Sequence, residues 1–352
     1  MSIYWSERTR NLEPYVPGEQ PRDRKYIKLN TNENPYPPSP MVLDAIRKAC
    51  SEDIRIYPDP DCDSLRETIA RYYNLKKEQV FVGNGSDELL AFSFMAFFDP
   101  CNPILFPDIT YSFYPVYASI FNINYKVVEL DEEFSIPVEG FFQENGGIII
   151  PNPNAPTGKY LDVGLIARIA RKNPGSVVII DEAYIDFGGE SAVKYIGDFK
   201  NLLIIQTLSK SRSLAGLRLG YALGHEDLIQ GINRVKNSFN SYTVSRLALA
   251  GAEEAFRDED YFRETRRRII ETRERVSLSL KSMGFKVVDS KANFIFISHP
   301  GVKSPVLFKR LREKGILVRH FDKPRISDYL RVSIGSDEEM DVFLDVIGKL
   351  LV

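Results

Sequence analysis

Three short apolar runs constrain this chain more than any other feature of it. Residues 148–150 (Ile-Ile-Ile), 177–180 (Val-Val-Ile-Ile) and 202–205 (Leu-Leu-Ile-Ile) contain no polar side chain. A strand with one wet face alternates apolar with polar residues, so an unbroken run reads as a strand buried on both faces. Helical segments separate such runs between about residues 40 and 240. Strands alternating with helices demand a mostly parallel sheet covered on both sides, and the predicted class is α/β. With 352 residues, 43% of them hydrophobic, the chain is long enough for a large domain and a smaller lobe.

The run at 202–205 leads into Thr207, Leu208, Ser209 and Lys210, and Arg218 follows in a glycine-rich segment. Open α/β sheets bind ligands outside the carboxyl ends of their strands, where this lysine falls. Ser209 and Arg218 can both grip a phosphate, and Lys210 between them can attack a carbonyl as an amine. A ring carrying both an aldehyde and a phosphate needs that trio, and pyridoxal 5'-phosphate is such a cofactor. The run at 177–180 delivers Asp181. An acid there is costly unless it meets a positive partner, and a protonated pyridine nitrogen is one.

A further anion signal stands upstream. Residues 80–82 form a short apolar strand that meets Gly83-Asn84-Gly85-Ser86-Asp87-Glu88 and then a helical run. Strand, glycine turn and helix start present free backbone N–H groups to a phosphate. A dinucleotide fingerprint would need a third glycine where Glu88 stands.

Other classes are disfavoured. A net charge of −2 gives no basic excess for nucleic acid or anionic lipid. Cys50, Cys62 and Cys101 lack CxxC spacing and read as reduced thiols of a cytoplasmic protein. His225, His299 and His320 lack metal-ligand spacing, so no metal is expected. The polar start MSIYWSERTR is not read as a signal peptide, and no apolar run approaches the ~20 residues of a membrane span. Residues 40–51 read as a helix with Met41, Ala45, Ile46 and Ala49 on one face. After Tyr221 the chain reads as helical. A long charged helix over 261–283 buries Phe262, Ile269, Val276, Leu280 and Met283. Glu264/Arg268, Arg267/Glu271 and Glu271/Arg275 are its expected ion pairs, so Arg266-Arg267-Arg268 is a solvated face.

Ser209-Lys210 with its arginine inside LAGLRLGY resembles the cofactor anchor of fold-type I aminotransferases, most closely the histidinol-phosphate aminotransferase family. The likeness spans nearly the whole chain, from Asn32-Glu33-Asn34-Pro35 to the LRVSIG stretch at 330–335, with its motifs in order. It implies a large domain (31–260) built on a mostly parallel, seven-stranded-type sheet, and a small α+β domain (261–352). Residues 1–30 would be an arm packing on the small domain or on a dimer partner.

The same resemblance implies roles for single residues. Gly85, Ser86 and Asp87 would give N–H donors to the cofactor phosphate, with Ser209 and Arg218. Tyr111 would stack on the pyridine ring, Asp181 face its nitrogen and Tyr184 reach its ring oxygen. Lys210 would be the covalent anchor and the proton carrier. Where the family often shows asparagine before Pro-Thr-Gly, this chain has Ala155. Either Asn154 shifts into that contact or Tyr184 carries more of it. Tyr57, in Tyr-Pro-Asp-Pro, would reach the neighbouring subunit's cofactor phosphate, making the active unit a homodimer. Asn34 would lie near the substrate, and Arg331 and Arg319 would hold its anionic group. Tyr15 either covers the substrate or packs the arm on a neighbour. The implied reaction is transfer of an amino group between L-histidinol phosphate and 2-oxoglutarate, a step of histidine biosynthesis. Aromatic aminotransferases and threonine-phosphate decarboxylases share these motifs and stand as alternatives. A non-catalytic regulator on this fold would carry a DNA-binding domain, for which the chain shows no basic segment.

Overall fold

The computed structural model describes residues 3–351. Its main sheet has seven strands: β1 (Val80–Gly83), β2 (Ile104–Pro107), β3 (Tyr125–Val128), β4 (Ile148–Pro151), β5 (Val178–Asp181), β6 (Leu202–Thr207) and β7 (Gly220–Gly224). Across the sheet they lie in the order β1-β7-β6-β5-β4-β2-β3. Only β7 runs against its neighbours, β1 and β6. The other pairs are parallel.

The unbroken apolar runs are explained by what covers them. Ile148, Ile150, Val178, Ile180, Leu202 and Ile204 enter the core on one face of the sheet. Ile149, Ile179, Leu203 and Ile205 enter the core on the other. Helices Asp63–Tyr73, Val163–Lys172 and Arg246–Arg257 close the first face. Gly85–Phe97, Phe113–Phe121 and Glu226–Phe239 close the second. With both faces dry, the body of a central strand is apolar, and polar residues such as Asp181, Gln206 and Thr207 enter only toward its carboxyl end.

The chain departs from its sequence reading in three places. Helix does not begin after Tyr221: β7 continues to Gly224 and the helix starts at Glu226. Its two glycines disguise β7, and it holds because Tyr221, Ala222 and Leu223 are buried between β1 and β6. On the Pro40–Ala49 helix Val42 takes the buried place expected of Met41, which is half in solvent, while Ile46 packs on the core as expected. On the Glu259–Ser282 helix only Arg267/Glu271 forms of the three expected pairs. Arg267 also takes Glu264, Arg275 turns to Asp337 and Asp341, and Arg268 lies over the Tyr36 ring. Offers from a neighbouring helix and an aromatic face outcompete exposed pairs that are worth only a few tenths of a kcal/mol.

The smaller sheet comprises β8 (Lys286–Val288), β9 (Phe294–Ser298), β10 (Arg319–His320) and β11 (Leu330–Ser333), antiparallel throughout in the order β10-β11-β9-β8. It shares a core with the Glu259–Ser282, Ser304–Glu313 and Asp337–Leu351 helices. Ile27–Lys28 pairs in parallel with Ile316–Leu317, and Leu29 joins this core. The strap that follows, residues 30–34, is thereby carried across to the Lys210 turn.

Candidate active site

The carboxyl ends of β1, β2, β4, β5 and β6 and the amino end of β7 meet at one edge of the main sheet. This is the edge at which open α/β sheets bind ligands. A cleft of about 200 Å³ opens there, reaching from the Ser86 turn to Arg331 of the smaller sheet. Two glycines let the backbone close around it. A Cβ on Gly220 would stand 2.6 Å from the amide nitrogen of Ser86, and one on Gly85 would stand 2.6 Å from Arg218 Nη2.

At one end lies an anion cup. The Gly85–Phe97 helix points its amino end into the cleft, and Ser86 and Asp87 line it. Glu88, where a dinucleotide site would have glycine, ties the turn back by accepting from Asn84 N at 2.6 Å. Arg218 arrives in the left-handed region (φ 52) and its Nη2 pairs with Asp87 Oδ2 at 3.1 Å. Tyr111 donates its hydroxyl to the other oxygen of Asp87 at 3.0 Å. The Asp87 carboxylate therefore orders both the arginine and the aromatic ring, a role the sequence reading did not give it. Ser209 completes the cup, its hydroxyl receiving Thr207 Oγ1 at 2.9 Å.

In the middle stand an acid and an amine. Asp181, at the end of β5, is only 5% exposed, and no lysine or arginine among the described residues pairs with it. Burial pushes its pKa up to about 6, against the opposing pull of hydrogen bonds from Tyr114 and the Ala183 amide. Lys210 projects into the cleft and donates Nζ to the carbonyl oxygen of Thr31 at 3.0 Å. Desolvation, reinforced by the Arg331 charge, lowers its pKa to about 8, so a useful fraction is neutral amine near neutrality. The Tyr184 ring centroid lies 5.9 Å from Nζ, and its hydroxyl receives Asn32 Nδ2 at 3.0 Å.

At the far end Arg331, on β11, lies between the rings of Phe294 and Phe321 and donates Nη2 to Asn30 O at 3.0 Å. Its Nε is buried without a hydrogen-bond partner. A cation so placed, with no carboxylate on it, is prepared for an anion entering the cleft. Arg319 also lines the cleft, but its guanidinium grips the carbonyls of Val16 and Pro17 at 2.8 and 3.1 Å. It holds the N-terminal segment over the mouth. Tyr15, in that segment, lines the cleft and stacks on Phe113 at 4.4 Å, so it both packs on a neighbour and faces the ligand space.

Three named residues lie outside this cleft, one of them, Tyr57, as expected of a residue meant for a neighbouring subunit. Asn34 gives both amide hydrogens to backbone carbonyls, of Lys210 at 3.0 Å and Ser211 at 3.1 Å. It braces the lysine turn from behind instead of facing the substrate space. Asn154 is fully buried, with its amide nitrogen committed to Ile109 O and Thr157 Oγ1, both at 3.0 Å. Ala155 lines the cleft in its place, and of Asn154 and Tyr184 only Tyr184 lines it. Tyr57 is 76% exposed and stacks on Tyr242 at 4.5 Å, away from the cleft of its own chain.

Sequence reading missed Thr31, Asn32 and Tyr114. The first two adjoin the Asn-Pro motif that was read only for Asn34, and their parts are fixed by a strap that returns from the smaller sheet. Tyr114 stands in an aromatic-rich stretch with nothing in its neighbours to announce a hydroxyl aimed at Asp181.

The donor set suits an anionic aldehyde carried on a basic ring. The cup offers serine, arginine and helix N–H groups to a phosphate, Lys210 offers an amine to the aldehyde, and Asp181 offers a buried acid to a ring nitrogen. Residues 24–347 match the family model for aminotransferase class I and II. A curated histidinol-phosphate aminotransferase of Clostridium acetobutylicum is 62% identical over 351 residues, covering 100% of both chains. One of Clostridium beijerinckii is 56% identical, covering 100% of this chain and 98% of that one. Among solved structures, a histidinol-phosphate aminotransferase of Sinorhizobium meliloti in complex with pyridoxal-5'-phosphate superposes with a TM-score of 0.91 at 23% identity, covering 100% of this chain and 98% of that one.

Proposed function

Because the chain belongs to the class I and II aminotransferase family, we propose that it transfers an amino group between L-histidinol phosphate and 2-oxoglutarate, with pyridoxal 5'-phosphate as its cofactor. The observation that carries this reading is end-to-end likeness to relatives named for that activity. When bound, the cofactor supplies an aldehyde for the amine and a ring that withdraws electrons.

The protein's own groups divide the remaining work. Gly85, Ser86, Asp87, Ser209 and Arg218 would hold the phosphate at the amino end of the Gly85–Phe97 helix. Tyr111, restrained by Asp87, would lie against the ring, and Asp181 would keep the ring nitrogen positive. Lys210 Nζ would carry the cofactor and, once displaced, move the proton between the two carbons that exchange it. Tyr184 would donate to the ring oxygen. Arg331 would take the donor's phosphate or the acceptor's carboxylate, and Tyr15 and the arm fixed by Arg319 would keep water out.

Three finer points belong to the same reading. The active unit is a homodimer in which Tyr57 reaches the neighbouring cofactor phosphate; its exposure beside the exposed Tyr242 supports this. The protein works in the cytoplasm, supported by three unpaired cysteines and by the lack of any helix among the described residues long and apolar enough to cross a membrane. Residues 31–260 serve as the cofactor domain and 261–352 as the small one, a division supported by the separation of the seven-stranded sheet from the four-stranded one.

Rapid mixing tests the substrate. Histidinol phosphate should discharge the absorption band of the bound cofactor within milliseconds to seconds. Discharge by phenylalanine alone, or by threonine phosphate alone, would overturn the assignment.

A further inference from the structure

Glu33 has no part in the roles above and does not line the cleft, yet two side chains converge on it, and one of them leads on to Lys210. Lys28 Nζ holds its Oε1 at 2.6 Å. Thr31 donates its hydroxyl to Oε2 at 2.7 Å. The carbonyl of that same Thr31 receives Lys210 Nζ at 3.0 Å. Lys28 is itself fixed in the Ile27–Lys28 strand against Ile316–Leu317, so the carboxylate ties that short strand pair to the lysine of the large sheet.

We propose that Glu33 is a positioning residue for Lys210, fixing the Thr31 carbonyl that receives the free ε-amine and placing a carboxylate charge behind it. The proposal rests on the reading of Lys210 as the reactive amine. Arg331, on β11, and Arg218, before β7, both drive the proton off Nζ, whereas Glu33 and Asp87 favour keeping it. Burial acts against the Glu33 charge, but the bonds from Lys28 and Thr31, with the charges of Lys28 and Lys210, hold its carboxyl below the usual range. Glu33 thus stays ionised wherever the lysine titrates.

The sign of each substitution follows. Without the Glu33 charge, the two arginines face Lys210 with one opposing charge fewer, and its proton affinity falls. Without Lys28, the Glu33 charge is less neutralised and a nearby cation is gone, so the affinity rises.

The test uses the full-length, cofactor-free protein and acetic anhydride. Acetylation of the Lys210 peptide is followed by mass spectrometry across pH 6–10, with the exposed Lys281 as internal standard. In Glu33→Gln the midpoint should move to lower pH, with reactivity at pH 7 rising on the order of five-fold for a one-unit displacement. In Lys28→Met it should move to higher pH. Midpoints that coincide with wild type, or move the opposite way, overturn the proposal. If Glu33→Gln fails to fold by circular dichroism, Lys28→Met decides alone, and a midpoint that does not rise overturns it. Cofactor found on another lysine would refute the reading of Lys210 and leave these midpoints unaffected, so the two failures are distinguishable.

Discussion

Tyr114 and Asp181, 67 residues apart in sequence, meet in a buried hydrogen bond of 2.9 Å from the phenol to Oδ2. The Ala183 amide donates to Oδ1 at 3.3 Å. Two neutral donors therefore support an acid whose pKa burial has pushed up to about 6. Tyr114→Phe removes one of them and should raise the pKa further. The native state then binds more protons than the unfolded state from about pH 4 up to the folded pKa, so stability falls as pH rises through that window. Melting temperatures of the cofactor-free variant should trail wild type most above pH 6 and less toward pH 5. A deficit that is the same at every pH would show that the phenol only packs.

Lys210 gives the opposite slope. Its pKa is lowered to about 8, so between about pH 8 and 10.5 the native state binds fewer protons than the unfolded one and stability rises with pH. The cost of burying the ammonium is fully present below pH 8. Cofactor-free Lys210→Met should accordingly melt above wild type at pH 7, with the gap closing toward pH 10.5. The same variant should lose the cofactor's covalent absorption band and turnover by roughly a thousandfold or more.

Gly220→Ala places a methyl group 2.6 Å from Ser86 N and 2.8 Å from Gly85 C, both backbone atoms that cannot swing aside. The substitution should cost about 1–3 kcal/mol in stability. It should also weaken cofactor affinity by more than Gly216→Ala, since nothing stands within 4 Å of a Cβ there. Equilibrium titration with the cofactor and thermal melts separate the two effects.

Arg331→Lys should be nearly as damaging as Arg331→Gln. The guanidinium is flanked by two aromatic rings and tied to Asn30 O, and an ammonium cannot keep a fork turned toward the cleft in that setting. Losing one charge-assisted pair costs roughly 1.5–3 kcal/mol. Steady-state kinetics should show this mostly as a higher KM for the phosphate-bearing donor.

Tyr57 offers a test by complementation. A Lys210→Ala chain and a Tyr57→Ala chain should each be impaired alone. In a mixed twofold dimer one site would combine an intact lysine with an intact tyrosine from the other chain, so reassociated mixtures should recover about a quarter of wild-type activity. No recovery would place Tyr57 outside the neighbouring site.

Much of this protein was legible in its sequence, because some physical demands are local. Unbroken β-branched runs permit only strands dry on both faces. The acid and the lysine following such runs at 181 and 210 are carried to one edge of the sheet by parallel connection alone. The glycine turn at 83–85 and the family's motifs located the phosphate end in the same way. Tertiary structure decided what depends on distant partners. Whether Asn34 and Asn154 face a ligand or brace a loop turns on carbonyls that only the fold brings near. Tyr114 became the support of Asp181, and Thr31 the resting place of Lys210, because a helix and a strap cross the site from elsewhere in the chain. A side chain's hydrogen-bonding capacity is written in its residue type, but the group that exhausts that capacity is chosen by packing.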